Sequence, residues 1–188
     1  MKSEYAVEEE MSHVLAALLP TNRLVMETAL TTGLRVSDVL SLKREQIRKG
    51  RFTVREKKTG KSRRVYIPNA LGERLLRNEA DRNSEYVFPG GRSAEKPRTR
   101  QAVWADVKHA AKAFRLPQNV TPHTARKVYA VRLMHKYGDL ERVRKALGHD
   151  RVETTMLYAM ADIILTSRKS CGNLETASKS KKGSPRAK

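Results

Sequence analysis

Apolar residues recur at helical spacing over two segments near the start of the chain, 7–19 and 22–32. Pro20 separates the two segments, and Thr21 has the side chain expected of an N-cap for the second helix. Gly33 follows the last apolar position of that helix. Because glycine adopts left-handed backbone angles without strain, it predicts the end of the helix.

A short helix is expected directly after this turn. Its apolar positions are at 39, 40 and 42, and Ser37 is placed to cap it. Arg35 would then lie on the connecting turn. The sequence therefore predicts that Arg35 is held on a rigid corner between two helices.

Residue types typical of strands occupy 51–56 and 63–68. The segment between them contains three lysines and Gly60, a residue that favours tight turns. A β-hairpin with a basic tip is the expected structure.

The remainder of the chain is predicted to be mainly helical. A loop at 80–97 with a short extended piece at 86–88 interrupts the helices. Helices are expected at 69–79, 98–115, about 122–136 and 139–147. The buried stripe of the 98–115 helix is predicted to consist of Val103, Val107, Ala110, Ala111 and Phe114.

Capping residues predict where the later helices start and end. Thr121 and Pro122 have the pattern of an N-cap and a first-turn residue, and Gly148 is expected to end the 139–147 helix. Asp150 and Glu153 have the spacing of a capping box. That box would begin a final helix that carries Tyr158.

These elements indicate an α+β fold that is mainly α-helical, with a small antiparallel β-hairpin at one edge. A chain of 188 residues favours one domain, expected at 1–166. From 167 to 188 the chain is rich in Ser, Gly, Lys and Arg and almost free of apolar residues. That segment is expected to be a disordered basic tail.

The charge balance changes the picture, because the chain carries a net charge of +19 and has a pI near 10.4. Neutralisation of phosphates by Lys and Arg supplies most non-specific nucleic-acid affinity, so nucleic acid is the partner that fits best. A basic protein held near anionic lipid or a ribosome is the alternative from composition alone.

The sequence does not favour a metalloprotein, a disulfide-bonded protein or a membrane protein. Cys171 is the single cysteine, and no Cys/His cluster has zinc-ligand spacing. The apolar stretch at 14–19 is too short to span a membrane and follows three glutamates at 8–10. We therefore expect a cytoplasmic protein with no membrane insertion and no metal or other cofactor.

Five polar motifs follow one another along the chain, and they contain the candidate catalytic residues. Each alone has an ordinary structural explanation, as a helix cap, a solvated charge or a packing residue. The motifs are Thr32-Gly33-Leu34-Arg35-Val36-Ser37-Asp38, Lys57-Lys58-Thr59-Gly60, Thr121-Pro122-His123-Thr124-Ala125-Arg126, Leu147-Gly148-His149, and Tyr158, which lies nine residues after His149.

Several of these residues suit phosphate chemistry. Arg35 and Arg126 can each present a planar fork of donors to the non-bridging oxygens of a phosphodiester. His123 and Arg126 share a face at the start of one helix, where an anion is favoured. Tyr158 is a weak nucleophile at its ordinary pKa of about 10 until cationic neighbours stabilise its phenolate.

The order Arg, Lys, His-x-x-Arg, Leu-Gly-His, Tyr closely resembles the catalytic domain of the tyrosine recombinase (phage integrase) family, over about 23–160. The resemblance implies that Tyr158 is the nucleophile and that Lys58 protonates the leaving 5′ oxygen. His149 would hydrogen-bond the phosphate and His123 would help to move the tyrosine proton. Lys57 and Lys61 remain alternatives for the general acid.

Supporting positions depart modestly from the family pattern. Asp38, expected to orient Arg35, stands where Glu is common, and Ala125 stands where Leu is usual. About twenty residues precede the first matching helix, so no separate N-terminal core-binding domain is expected in this chain. The chain would be either an excised catalytic domain or one of the smaller family members that lack that module.

The resemblance implies a site-specific DNA recombinase that cleaves and rejoins DNA through a 3′-phosphotyrosyl intermediate. Its partner would be double-stranded DNA, on which it would assemble as a tetramer, with no small-molecule substrate. A nucleoid-associated protein of bacterial or phage origin is implied. A type IB topoisomerase and a non-cutting DNA-binding protein derived from a recombinase are the alternatives.

Overall fold

The computed structural model describes residues 8–56, 60–77 and 84–148. No helix in these ranges is long and apolar enough to span a membrane. The elements, in chain order, are α1 (Glu8–Ala17), α2 (Pro20–Thr32), α3 (Val36–Leu40), α4 (Arg44–Arg48), β1 (Arg51–Arg55), β2 (Ser62–Tyr66), α5 (Asn69–Arg77), α6 (Arg100–Ala113), α7 (Pro122–Tyr137) and α8 (Leu140–Leu147).

The helix α2 lies at the centre of the bundle. It packs against α1, α3, α6 and α7. The helix α8 in turn packs against α7. Val25, Met26 and Ala29 of α2 are almost fully buried, as are Val107 of α6 and Val128 of α7. Burial of these side chains is the main source of stability in such a helical layer.

The strands β1 and β2 form one antiparallel hairpin. Arg51 pairs with Tyr66 and Arg55 pairs with Ser62, which fixes the register. Side chains alternate across the sheet, so the buried Val54 faces the helical core while Arg51 and Tyr66 face outward. The predicted mainly helical α+β fold with a small hairpin is confirmed.

Two predicted caps are each wrong by two residues. Pro20 is the first residue of α2 and Leu19 is its N-cap, so Thr21 lies inside the helix. Proline suits this position because the missing N–H would have no partner in the first turn. Likewise α3 begins at Val36 with Arg35 as its N-cap, which places Ser37 inside the helix.

The short helix α4 escaped prediction because five residues carry too little periodicity to identify a helix. Its start is fixed by the Gln46 side chain, whose Oε1 accepts a hydrogen bond from the Lys43 backbone N–H at 2.9 Å.

The predicted buried stripe of α6 holds for its two valines and two alanines but is wrong at Phe114. The helix ends at Ala113, so Phe114 leaves the helical register and stays 44% exposed. Its ring stacks on that of His13, with 5.2 Å between the centroids.

Candidate active site

The corner between α2 and α3 places Arg35. Gly33 ends α2 with a left-handed φ of 64°, and its N–H donates to the Ala29 carbonyl at 2.8 Å. A Cβ at this position would overlap the ring of Tyr129 on α7. The predicted glycine-terminated corner is therefore confirmed, and a close approach of α7 makes the glycine necessary as well.

A buried carboxylate, Glu56, lies at the centre of the candidate site. It directly follows β1 and is only 1% exposed. Arg35 donates from Nη1 to its Oε2, whereas Arg63 Nε and Arg126 Nη1 each lie 3.7 Å from its Oε1. Three guanidinium groups thus share one carboxylate, and a net positive charge remains to attract an anion.

Two of these arginines also join the ends of α2 and α8. Arg63 donates to the Thr32 carbonyl at 2.7 Å and to the Ala146 carbonyl, while Arg126 donates to the Gly33 carbonyl at 2.7 Å and to the Leu147 carbonyl. The carbonyl end of a helix carries partial negative charge, so cations are favoured there. The two side chains fix the position at which the chain leaves α8.

Burial has a cost for the Arg63 guanidinium. Loss of hydration lowers its pKa, and the neighbouring Tyr129, Glu56 and Asp38 oppose that effect by favouring the charged form. These partners offset part of the cost of burying the Arg63 cation, and its hydrogen bonds to two helix ends favour a structural role.

An open cavity of about 640 Å³ lies beside this cluster. The first residues of α3, α6 and α7 contribute to its wall, so three helix N-termini are near it. No carboxylate belongs to the wall among the described residues. The wall consists of Leu34, Arg35, Val36, Ser37, Leu40, Ser41, Pro97, Arg98, Arg100, Pro122, His123 and Arg126.

The structure brings together three of the sequence-predicted site residues. Arg35, His123 and Arg126 line this one cavity although they are up to 91 positions apart in the chain. His123 is exposed in the first turn of α7, and the start of that helix is held by Thr124, whose Oγ1 accepts from the Thr121 N–H at 3.1 Å.

Lys58, His149 and Tyr158 lie outside the described residues, as do Lys57 and the capping box at 150–153. Their neighbours in sequence are nevertheless placed. Glu56 precedes the lysines by one residue, and Gly148 precedes His149 directly. A Cβ added to Gly148 would lie 3.6 Å from each Glu56 oxygen, so the residue directly before His149 lies beside the carboxylate of the residue directly before the lysines.

Sequence reasoning missed Glu56 and Arg63, and the alternation of the hairpin could have revealed both. Glu56 shares its strand face with Val54, and Arg63 shares its face with Val65, so both charges fall on the apolar side. Charged residues in core positions need partners. Asp38, expected to orient Arg35, is 2% exposed on α3, while the ion-pair partner of Arg35 is Glu56.

Comparisons with known proteins identify the family of this chain. The profile of the Phage integrase family matches residues 5–163. The integrase of Escherichia phage P2 is 32% identical over 155 residues, which cover 82% of this chain and 42% of the relative. Tyrosine recombinase XerA of Pyrococcus furiosus is 32% identical over 163 residues, covering 81% and 56%. The chain thus spans about half the length of these relatives.

Solved structures share the fold. The crystal structure of XerA recombinase has a TM-score of 0.67 at 23% identity and covers 90% of this chain and 66% of that one. A lambda integrase dimer bound to a COC′ core site has a TM-score of 0.66 at 25% identity, covering 84% and 61%. With its profile match over most of its length and its cavity of Arg35, His123 and Arg126, this chain belongs to the phage integrase family.

Proposed function

We propose that residues 1–166 form the catalytic domain of a site-specific DNA recombinase that cleaves and rejoins DNA through a 3′-phosphotyrosyl link, with 167–188 as a basic tail. The observation that carries this proposal is the cavity wall in which Arg35, His123 and Arg126 meet and to which no described residue contributes a carboxylate. A wall of this composition is suited to a phosphodiester. The lambda integrase dimer of the same fold is bound to a DNA core site, which supports DNA as the ligand.

The arginines differ in access to a phosphate. The Arg35 side chain is 18% exposed and that of Arg126 is 1% exposed. Arg35 therefore makes the more accessible contact with a non-bridging oxygen, while Arg126 supplies positive charge from the cavity wall. Both would stabilise the charge that develops on the pentacovalent phosphorus, an effect worth on the order of 10²–10³ in rate for each donor.

Cleavage in this proposal is an in-line transfer. The Tyr158 oxygen attacks phosphorus, the bond from phosphorus to the 5′ oxygen breaks, and Lys58 gives that oxygen a proton. His123 accepts the tyrosine proton and His149 donates a hydrogen bond to the phosphate. The new ester keeps the free energy of the broken bond, so attack by a 5′ hydroxyl reverses the step without ATP.

The four described tyrosines are poor candidates for the nucleophile. Tyr66, Tyr86, Tyr129 and Tyr137 are described, and none of them lines the cavity. Tyr129 lies beside the arginine cluster, but burial raises the pKa of its hydroxyl, which disfavours the phenolate needed for attack. Tyr5 and Tyr158 lie outside the described ranges, and the nine-residue spacing from His149 favours Tyr158 as the source of the attacking oxygen.

We further propose that the protein acts on double-stranded DNA as a tetramer and is associated with the nucleoid. Recombination exchanges strands between two duplexes, so four cleavage centres are needed. The net charge of the chain, +19, suits binding to a long polyanion.

Capture of a covalent complex tests the proposal. The protein is incubated with DNA from its host locus, the reaction is stopped with denaturant, and the DNA joined to protein is sequenced. The proposal expects one recurrent junction with protein on the 3′ phosphate. Adducts spread over plasmid DNA that lacks such a site, accompanied by relaxation of supercoils, would instead support a topoisomerase, and DNA binding without adducts would support a non-cutting protein.

A further inference from the structure

Arg98 and Arg100 belong to the cavity wall, but the catalytic set described above does not use them. Arg35 and Arg126 share the carboxylate of Glu56. Arg98 and Arg100 form no ion pair with any described residue. Cations gathered in one wall repel one another unless an anion joins them, so this half of the cavity is suited to a second negative charge.

Arg98 is held in place by a buried amide. Its Nε donates to Oδ1 of Asn22 at 2.7 Å, and Asn22 is fully buried in α2. The Nδ2 of the same amide donates to Oδ2 of Asp106 at 2.7 Å, and that oxygen also accepts from the Leu19 N–H at 3.0 Å. A carboxylate needs a donor and a guanidinium needs an acceptor, so only one orientation of the amide satisfies both.

This network leaves the far edge of the Arg98 guanidinium available. The Nε–H is its one side-chain hydrogen bond within the described ranges, and the backbone N–H is used by the Phe88 carbonyl at 2.8 Å. Two terminal NH₂ groups remain, in the planar geometry that fits phosphate oxygens. A guanidinium fixed at one nitrogen loses less side-chain entropy on binding than a free one.

Arg98 also stands between two surface depressions. Besides the cavity, it lines a second one of about 400 Å³ formed by the 89–94 loop, where Arg92 is exposed. A DNA strand that leaves the cavity over this side would pass from Arg98 towards Arg92. Phosphate charges recur about every 3.4 Å of helix rise along each strand, so a strand at the cavity offers a second phosphate directly beside the reacting one.

We propose that Arg98 binds a phosphate neighbouring the scissile one, and that Asn22 is the positioning residue that holds Arg98 for this contact. This inference rests on the proposed function, since it assumes DNA in the cavity. It gives a functional role to the buried amide of Asn22, which does not touch the reacting atoms. It also predicts that the cavity holds at least two phosphates.

The test is DNA binding measured against salt, in a Tyr158→Phe background so that no covalent capture occurs. Binding of a short mixed-sequence duplex is titrated at several KCl concentrations for the parent, Arg98→Ala and Arg115→Ala. Arg115 is an exposed arginine at the opposite end of α6, so it controls for loss of one charge. Each phosphate contact contributes about 0.9 to the slope of log K against log salt.

We expect Arg98→Ala to reduce the magnitude of this slope by about 1 while Arg115→Ala leaves it unchanged. Equal slopes for the two variants would overturn the phosphate contact. A parent that binds no duplex would contradict the proposed function as well. Adduct formation by the chain with Tyr158 intact is a separate readout, so loss of the Arg98 contact and loss of cleavage can be told apart.

The role of Asn22 is tested by non-additivity. Asn22→Ala should weaken binding when Arg98 is present and have no further effect in Arg98→Ala, because it acts through that side chain. Losses that add in full would overturn the positioning role. If Asn22→Ala does not fold, Arg98→Lys replaces it: lysine keeps the charge but lacks the Nε–H, so the slope should stay and the affinity should fall. Parental affinity in Arg98→Lys would contradict the proposal.

Discussion

Arg35 and Glu56 form an ion pair that joins the start of α3 to the end of β1, with the carboxylate almost completely buried. The pair links the hairpin to the helical layer and places a guanidinium in the cavity wall. Because Glu56 is also 3.7 Å from Arg63 and Arg126, its one negative charge holds the three cations together.

The first prediction concerns this carboxylate. Glu56→Gln leaves three guanidinium groups without their shared counter-ion, so the free energy of unfolding should fall by about 3 kcal/mol, as for a buried ion pair that loses a partner. Denaturant titration measures it. The control is Glu45→Gln, which removes an exposed ion pair to Lys49 and should cost far less, because water screens that pair. Equal, small losses in both variants would show that the buried cluster contributes nothing particular to stability.

The second prediction separates two reasons for a glycine. Gly33 and Gly50 have nearly the same left-handed φ, 64° and 66°, but a Cβ at Gly50 meets nothing within 4 Å. Gly50→Ala should therefore cost about 1–2 kcal/mol for the backbone alone. Gly33→Ala should cost at least a further 1 kcal/mol or so, because the new methyl group overlaps the Tyr129 ring. Thermal unfolding measures the loss of stability in both variants. Equal losses would mean that α7 shifts without cost to relieve the overlap.

The third prediction is a pH dependence. Burial raises the pKa of Tyr129 above its ordinary value, so the folded state holds the phenol proton more tightly than the unfolded chain does. The stability that this supplies is complete below the ordinary pKa of about 10 and is lost as the pH rises beyond it. In an absorbance titration of the phenolates, Tyr129→Phe should remove the phase at highest pH. The exposed Tyr66, changed to Phe, should leave that phase in place.

Much of this architecture could be predicted from the sequence, and the rest has identifiable reasons. Gly33, Gly148 and the hairpin follow from local rules of backbone conformation and alternation. The position of Glu56 among three arginines does not, because Arg35, Arg63 and Arg126 come from separate elements that meet only in the folded chain. The link from Asn22 to Arg98 spans 76 positions and has no local signal.

Phe114 shows the converse limit. Its spacing from Ala110 fits the apolar stripe of α6, but the helix ends one residue earlier and the ring turns outward. Periodicity predicts a face only as far as the helix continues. Lys58, His149 and Tyr158 remain predictions, since they lie outside the described residues.

The fourth prediction tests the general acid. Lys58→Ala should cleave ordinary DNA slower by roughly 10²–10⁴-fold, as for the loss of other general acids. A substrate with sulfur at the 5′ bridging position has a leaving thiolate of pKa near 8.5 and needs no proton, so it should restore nearly the parental rate. Single-turnover cleavage of both substrates is the measurement.

Arg35→Ala is the control for that rescue, because it removes charge stabilisation instead of a proton and should stay slow on the sulfur substrate. The assignment also has direct competitors at the hairpin tip. Rescue of Lys57→Ala or Lys61→Ala, with Lys58→Ala still slow, would transfer the role of general acid to that neighbouring lysine.

The central claim is that Tyr158 attacks the phosphate, and covalent capture tests it most directly. On a substrate nicked near the captured junction, the parent and Tyr129→Phe should both form a protein–DNA adduct that survives denaturing electrophoresis. Tyr158→Phe should form none while its DNA affinity stays within a few-fold of the parent, because the cavity of Arg35, His123 and Arg126 is unchanged. An adduct that persists in Tyr158→Phe would contradict the account and assign the nucleophile to another residue.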